Sequence, residues 1–118
     1  MLSLPLLLIV LSNAGITQNT GFHRSQVLFK AGTNDYFTYR IASLVCTKKG
    51  TLLAFCAARK GTGGDWAPID IVMRRSLDGG KTWEPQKLVA HNKNLPSDNA
   101  TPIVDFKTGD IHLLYQSD

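Results

Sequence analysis

The sequence predicts an all-β chain, and three observations predict it. Short runs rich in β-branched and apolar residues recur along residues 27–115, bounded by clusters of Gly, Asn, Asp, Ser and Pro. No apolar stripe at helical spacing of useful length follows residue 15. The strand pattern passes through a four-segment series and then restarts, as in a β-propeller, whose four-stranded meanders repeat about every 40 to 50 residues and need neighbouring blades to bury their faces. About one and a half blades are expected, with blade one at about 37–91 and a partial blade two at about 99–118.

The first element is a targeting segment. Leu2, Leu4, Leu6, Leu7, Leu8, Ile9, Val10 and Leu11 form an apolar run, shorter than the roughly 20 residues a helix needs to cross a bilayer. Ser12-Asn13-Ala14 supplies small residues behind it, so residues 1–14 read as a secretory signal peptide cleaved before Gly15, although the segment before the run lacks Lys or Arg. The expected localisation is secreted or extracellular, with a lysosomal or cell-surface placement also compatible, and no stable membrane span is expected.

Residues 15–36 form a lead-in, with the apolar segment Val27-Leu28-Phe29 and a turn at Gly32-Thr33-Asn34-Asp35. Four strands follow: Tyr39 to Thr47, then Thr51 to Ala58 after a Lys48-Lys49-Gly50 turn, then Ile69 to Ser76, then Gln86 to Ala90. The third alternates Ile69, Ile71 and Met73 against Asp70, Val72 and Arg74. The restart comprises Thr101 to Asp105, a turn at Lys107-Thr108-Gly109-Asp110, and Ile111 to Tyr115. Since the last strand meets the end of the sequence without a cap, the chain reads as the front of a longer protein.

An antiparallel meander also decides which loops share an end. Arg40, Arg59, the loop from Gly61 to Pro68, and Asp98-Asn99 gather at one end, and the turn around Asp78 lies at the other.

Composition narrows the function only a little. With 118 residues, 43% hydrophobic and 19% charged, the chain is neither disordered nor collagenous. Thirteen Lys and Arg against nine Asp and Glu give a net charge of +4, which favours anionic partners without choosing one. The basic residues are dispersed and lack aromatic partners, which argues against a nucleic-acid binder. Cys46 and Cys56 flank the first hairpin, with Cys46 opposite Leu52 and Cys56 four residues farther along. That offset is roughly 13 Å, beyond the reach of about 7 Å between the Cα atoms of a disulfide. Two buried free thiols are expected. His23, His91 and His112 lack metal-ligand spacing and read as exposed polar residues. No metal or cofactor is expected.

The most specific string is Ser76-Leu77-Asp78-Gly79-Gly80-Lys81-Thr82-Trp83, which fits the Asp-box pattern S-x-D-x-G-x-T-W at Ser76, Asp78, Gly80, Thr82 and Trp83. Its side chains can bond neighbouring amides and its glycines permit positive φ, so its role is a structural turn. It has too few carboxylates for a calcium loop. Arg75 stands where a phosphate loop would need its first glycine.

From about Phe37 to Tyr115 the chain resembles the bacterial and animal sialidases, six-bladed propellers that remove terminal sialic acid from glycoconjugates. Tyr39-Arg40-Ile41 resembles the family's Tyr/Phe-Arg-Ile-Pro motif, with Ala42 in place of the proline. The resemblance makes Arg40 one of three arginines that grip the sialic acid carboxylate, a task suited to a planar guanidinium. It makes Arg59, after Ala57-Ala58, a second basic residue of the pocket. Asp65, in Gly63-Gly64-Asp65-Trp66, resembles the acid/base aspartate; Asp70 is its rival, read as a structural polar residue of its strand.

Asn99, in Asn99-Ala100-Thr101-Pro102, resembles a segment near the sugar's N-acyl side and could bond substrate there. The same residues form a glycosylation sequon, and Pro102 together with strand burial favours an unmodified Asn99. The implied mechanism is that of the tyrosine exception among glycosidases, a Tyr nucleophile activated by Glu. Tyr36, Tyr39 and Tyr115 do not occupy the nucleophile's position.

The resemblance therefore implies an exo-α-sialidase acting on sialylated glycoproteins, glycolipids or oligosaccharides, inactive as this chain alone. Two alternatives stay open: a trans-sialidase on the same scaffold, and a non-catalytic Asp-box propeller that binds carbohydrate or protein. The grouping of Arg40, Arg59 and Asp65 favours catalysis, since a pure scaffold does not require it.

Overall fold

The computed structural model describes residues 24–117, so the signal segment and His23 lie outside the described residues. The described residues are all-β, with six strands: β1 Thr38–Cys46, β2 Leu52–Arg59, β3 Ile69–Ser76, β4 Lys87–Ala90, β5 Ser97–Val104 and β6 Ile111–Ser117. The first four form one sheet in the order β1-β2-β3-β4, antiparallel throughout, and β5 and β6 form a separate antiparallel pair. Cys46 stands opposite Leu52, the register that the Lys-Lys-Gly turn predicts.

Period-two alternation sorts the side chains of β2 and β3 into two half-cores, one on each face. Leu53, Phe55 and Ile71 pack with Ala100 of β5 and with Leu113, so the two sheets stack through this face. Cys56, Ala58 and Val72 point the other way, against Phe29, Tyr36 and Tyr39. Through Phe29 and Tyr36, the described part of the lead-in joins the core. Arg74 ties it down: Nη1 donates to the Leu28 carbonyl at 2.8 Å, while Nε and Nη2 donate to the carbonyls of Glu84 and Trp83.

One strand expectation needs correction. β5 begins at Ser97, not Thr101, because a register shift between Asp98 and Thr101 lets Ser97 pair with Ser117. A second irregularity separates Arg40 from Ala42. Ile41 there takes φ 63° and Asn99 takes φ 57°, left-handed values that a β-branched residue adopts only under strain.

The thiols also differ from expectation. Both are free, and Cys56 is buried, but Cys46 is exposed. Among the described residues, the lead-in packs on this face against Cys56, Ala58 and Val72, and Leu44, two residues before Cys46, is likewise exposed.

At the far end of β3, the 76–83 turn is closed by its own side chains. Gly80 N–H donates to Ser76 Oγ at 2.8 Å, Ser76 Oγ donates to Asp78 Oδ1 at 2.8 Å, and the Thr82 amide and hydroxyl both donate to Asp78. Trp83 Nε1 returns to the Gly80 carbonyl at 3.2 Å. Gly80 has φ 87°, and a Cβ there would approach Leu52 Cδ1 to 3.4 Å. These donors hold the Asp78 carboxyl down to about 2, the Thr82 side chain contributing most.

Candidate functional site

Eight residues of β3, about 23 Å of strand, separate that turn from a cleft at the other end of the sheet. The cleft is about 330 Å³ and is lined by Ile41, Arg59, Asp65, Trp66, Pro96, Asp98, Asn99 and Gln116. The lining residues arrive from strand ends, from irregularities within strands and from the connecting loops. Arg59 ends β2; Asp65 and Trp66 sit on the 60–68 loop; Ile41 and Asn99 are the two left-handed residues of β1 and β5.

Arg59 is fully buried, with 0% exposure. Its Nη1 donates to Asp65 Oδ1 at 2.8 Å and its Nη2 to Asp98 Oδ2 at 2.5 Å. A buried guanidinium demands such partners, since an unpaired one would carry its full desolvation cost. Arg40, from β1, reaches the same Asp65 oxygen from the rim. Two arginines therefore converge on one carboxylate oxygen, and they hold the Asp65 carboxyl below the usual range. The Arg59 hydrogen bond contributes most and the Arg40 charge follows.

The structure thus brings Arg40, Arg59 and Asp65 into direct contact and sets Asn99 in the wall of the same cleft. Asn99 is exposed, so strand burial is not a reason for it to stay unglycosylated; its amide donates to Gln116 Oε1 at 3.2 Å. Asp70 is outside the cleft lining, buried, and bonded to Tyr36, Lys60 and His91. His91 is exposed, as expected, but its Nδ1 lies 2.7 Å from Asp70 Oδ1. His112 is exposed. Among the described residues, no group of three His, Cys, Asp or Glu side chains is placed to hold a metal ion.

Sequence reasoning gave no role to Asp98, Trp66, Ile41 or Gln116. For Asp98 a signal existed, because an arginine fated for burial calls for more negative charge than Asp65 alone. Trp66, 88% exposed beside Asp65, followed from its neighbour. The left-handed turn at Ile41 has no mark in the sequence.

An all-β chain with an arginine-carboxylate cleft at one end of its sheets defines the class, and similarity to known proteins narrows it. No protein-family model matches the chain. It is 39% identical over 75 residues to a sialidase of Bacteroides fragilis (strain YCH46), covering 62% of this chain and 14% of that protein. A sialidase of Micromonospora viridifaciens is 35% identical over 94 residues, covering 75% and 14%. A third, from Paraclostridium sordellii, is 38% identical over 82 residues, covering 64% and 20%. The chain is related to the sialidase family, and it spans 14 to 20% of the length of the curated relatives it matches.

Proposed function

We propose that the protein carrying this chain is a secreted exo-α-sialidase built on a six-bladed β-propeller, in which the β1–β4 sheet is one blade and β5–β6 opens the next. Stacking of the two sheets through Phe55, Ile71, Ala100 and Leu113 supports that arrangement. So do Ile103 and Leu114, exposed on the face of the second sheet turned away from the first, where a further blade would cover them. The substrates are sialylated glycoconjugates.

The observation that carries the reading is the convergence of Arg40 and Arg59 on Asp65 in one cleft. Arg40, half exposed at the rim, is free to exchange Asp65 for the carboxylate of a sialic acid. Arg59, buried and fixed by Asp98, stays on Asp65 and positions it. The exchange also serves the chemistry. A general acid must carry its proton at the moment of bond cleavage, and Asp65 loses one cationic neighbour when Arg40 turns to the substrate while a negative carboxylate arrives nearby. Both changes favour the protonated acid, which then protonates the leaving sugar oxygen. Asn99, in the lining of the same cleft, bonds the substrate there.

The test uses the full-length protein and two sialosides. Asp65→Ala should nearly abolish cleavage of a sialyl-galactoside, whose alcohol needs a proton to depart. It should largely spare the glycosylation step on an activated aryl sialoside, whose phenolate leaves unaided. Equal loss on both substrates would remove Asp65 from the acid role; binding of sialosides without any turnover would point to a lectin-like propeller.

A further inference from the structure

Lys60 is the first residue of the loop that carries Asp65, and it is held twice. Its backbone N–H donates to the Pro68 carbonyl at 3.0 Å, closing the base of the loop, and its ammonium lies 2.9 Å from Asp70 Oδ2. Asp70 stands two residues past the other end of the loop with 2% exposure. The Tyr36 hydroxyl donates to the same Oδ2 at 2.7 Å, and His91 Nδ1 meets Oδ1 at 2.7 Å. The Lys60 ammonium also lies 5.5 Å from the centre of the Tyr36 ring, a cation–π contact.

The neighbouring residue points to the opposite face of the sheet. Arg59 engages Asp65 and Asp98 on the cleft side, while Lys60 engages Asp70 on the lead-in side. Consecutive residues thus pin one end of the loop from both faces. Burial works against a charged Asp70, and its donors overcome that: His91, Tyr36 and Lys60 together hold the carboxyl below its usual range. Val72, two residues on along the same face, is buried among apolar groups. An apolar side chain at position 70 would fill the same space, but it could not reach out to hold Lys60.

We propose that Asp70 and Lys60 are positioning residues for the Asp65 loop, an ionic clamp that fixes where the acid's carboxyl stands. The proposal rests on the reading of Asp65 as the general acid. Neither residue lines the cleft, so both act through the loop. Proton transfer operates over a heavy-atom distance of about 2.6 to 3.2 Å, and a misplacement of about 1 Å can cost on the order of a hundredfold in rate.

The clamp predicts a loss confined to the proton-dependent step. In the full-length protein, Lys60→Met should lower kcat on a sialyl-galactoside by about tenfold to a hundredfold, with KM little changed. The activated aryl sialoside should be cleaved at close to the unmodified rate, and Lys60→Arg should restore the galactoside rate. A purely structural role would move both substrates together and shift the melting temperature with them. Equal loss on both, or no loss on either, overturns the clamp. Asp65→Ala runs alongside as the control: if it shows no dependence on the leaving group, the acid reading fails and takes the clamp with it, whereas a split there without one in Lys60→Met refutes the clamp alone. Should Lys60→Met not accumulate as folded protein, Tyr36→Phe removes one of the donors to Asp70 and should give a smaller split in the same direction. Its absence would overturn the proposal.

Discussion

Arg59 Nη2 and Asp98 Oδ2 meet at 2.5 Å, and the arginine in that pair has no exposed surface. This contact joins the end of β2 to the start of β5, and the same arginine holds Asp65. Breaking a buried ion pair by removing one partner costs about 3 to 5 kcal/mol, because the remaining charge is left without compensation. Asp65 stays on Arg59, which places Asp98→Ala at about 3 kcal/mol, the low end of that range. Asp98→Asn, which keeps an acceptor, should lose less. Thermal unfolding of the full-length protein checks both, and a melting temperature unchanged by Asp98→Ala would show that Arg59 does not depend on this partner.

Arg40 gives a prediction about binding. Lysine keeps the charge but replaces a planar fork with a point donor on a flexible stem. Arg40→Lys should weaken sialoside binding by about 1.5 to 3 kcal/mol, the scale of a hydrogen bond to a charged group. The readout is KM and the inhibition constant of free sialic acid. Unaltered values would remove Arg40 from carboxylate recognition.

The turn at the opposite end of β3 predicts a pH window. Asp78 is held at about 2 in the folded chain against an ordinary 3.8. A carboxyl lowered on folding stabilises the fold fully above its ordinary value, and that contribution disappears as pH falls through the folded value. The window therefore lies between about pH 4 and pH 2. Carboxyl chemical shifts should place the Asp78 midpoint near the lower limit, and Asp78→Asn should make the remaining acid sensitivity in that window smaller. A midpoint at the ordinary value would mean that the Thr82 and Ser76 contacts do not form in solution.

Cys56 supplies a probe of the lead-in face. Burial raises its thiol to about 11, and alkylation requires thiolate and access. The native full-length protein should leave Cys56 unmodified by iodoacetamide at about pH 8, where an ordinary exposed thiol is partly ionised and reacts. Denaturant should release it. Peptide mapping that finds Cys56 labelled in the native state would show that Phe29, Tyr36 and Tyr39 do not cover this face.

Much of this architecture is legible in the residues. Period-two runs and the Lys48-Lys49-Gly50 turn place four strands to within a residue or two and set the register of Cys46 against Leu52. Meander topology alone then puts Arg40, Arg59, Asp65 and Asp98 at one end, because adjacent antiparallel strands return their loops there. What the pattern misses are departures from alternation. Ile41 and Asn99 enter the cleft wall through left-handed backbone, which Asn tolerates but a β-branched Ile does not favour, so at Ile41 it follows from the surrounding packing. Cys46 is exposed for a related reason: burial depends on what covers a face, and the described part of the lead-in packs at the Cys56 end of it. The role of Lys60 has no mark in the sequence, because its partner Asp70 is reached through space across the base of a loop.

The ion pair between Arg40 and Asp65 yields the last prediction, and its sign can be worked out. In the unliganded cleft Asp65 is lowered first by Arg59 and then by Arg40. If Asp65 is the general acid, kcat/KM on a sialyl-galactoside, which reports the free enzyme, falls as pH rises through the Asp65 value, since the proton to be donated is lost. Arg40→Met removes one positive charge and one donor while Arg59 remains, so the Asp65 value must rise. The alkaline limb of the galactoside profile should therefore move to higher pH, even as the rate at every pH falls for want of the carboxylate contact. An aryl sialoside needs no proton on its leaving group, and its profile should show no such displacement. A galactoside limb that stays in place in Arg40→Met would mean that the limb belongs to a group other than Asp65.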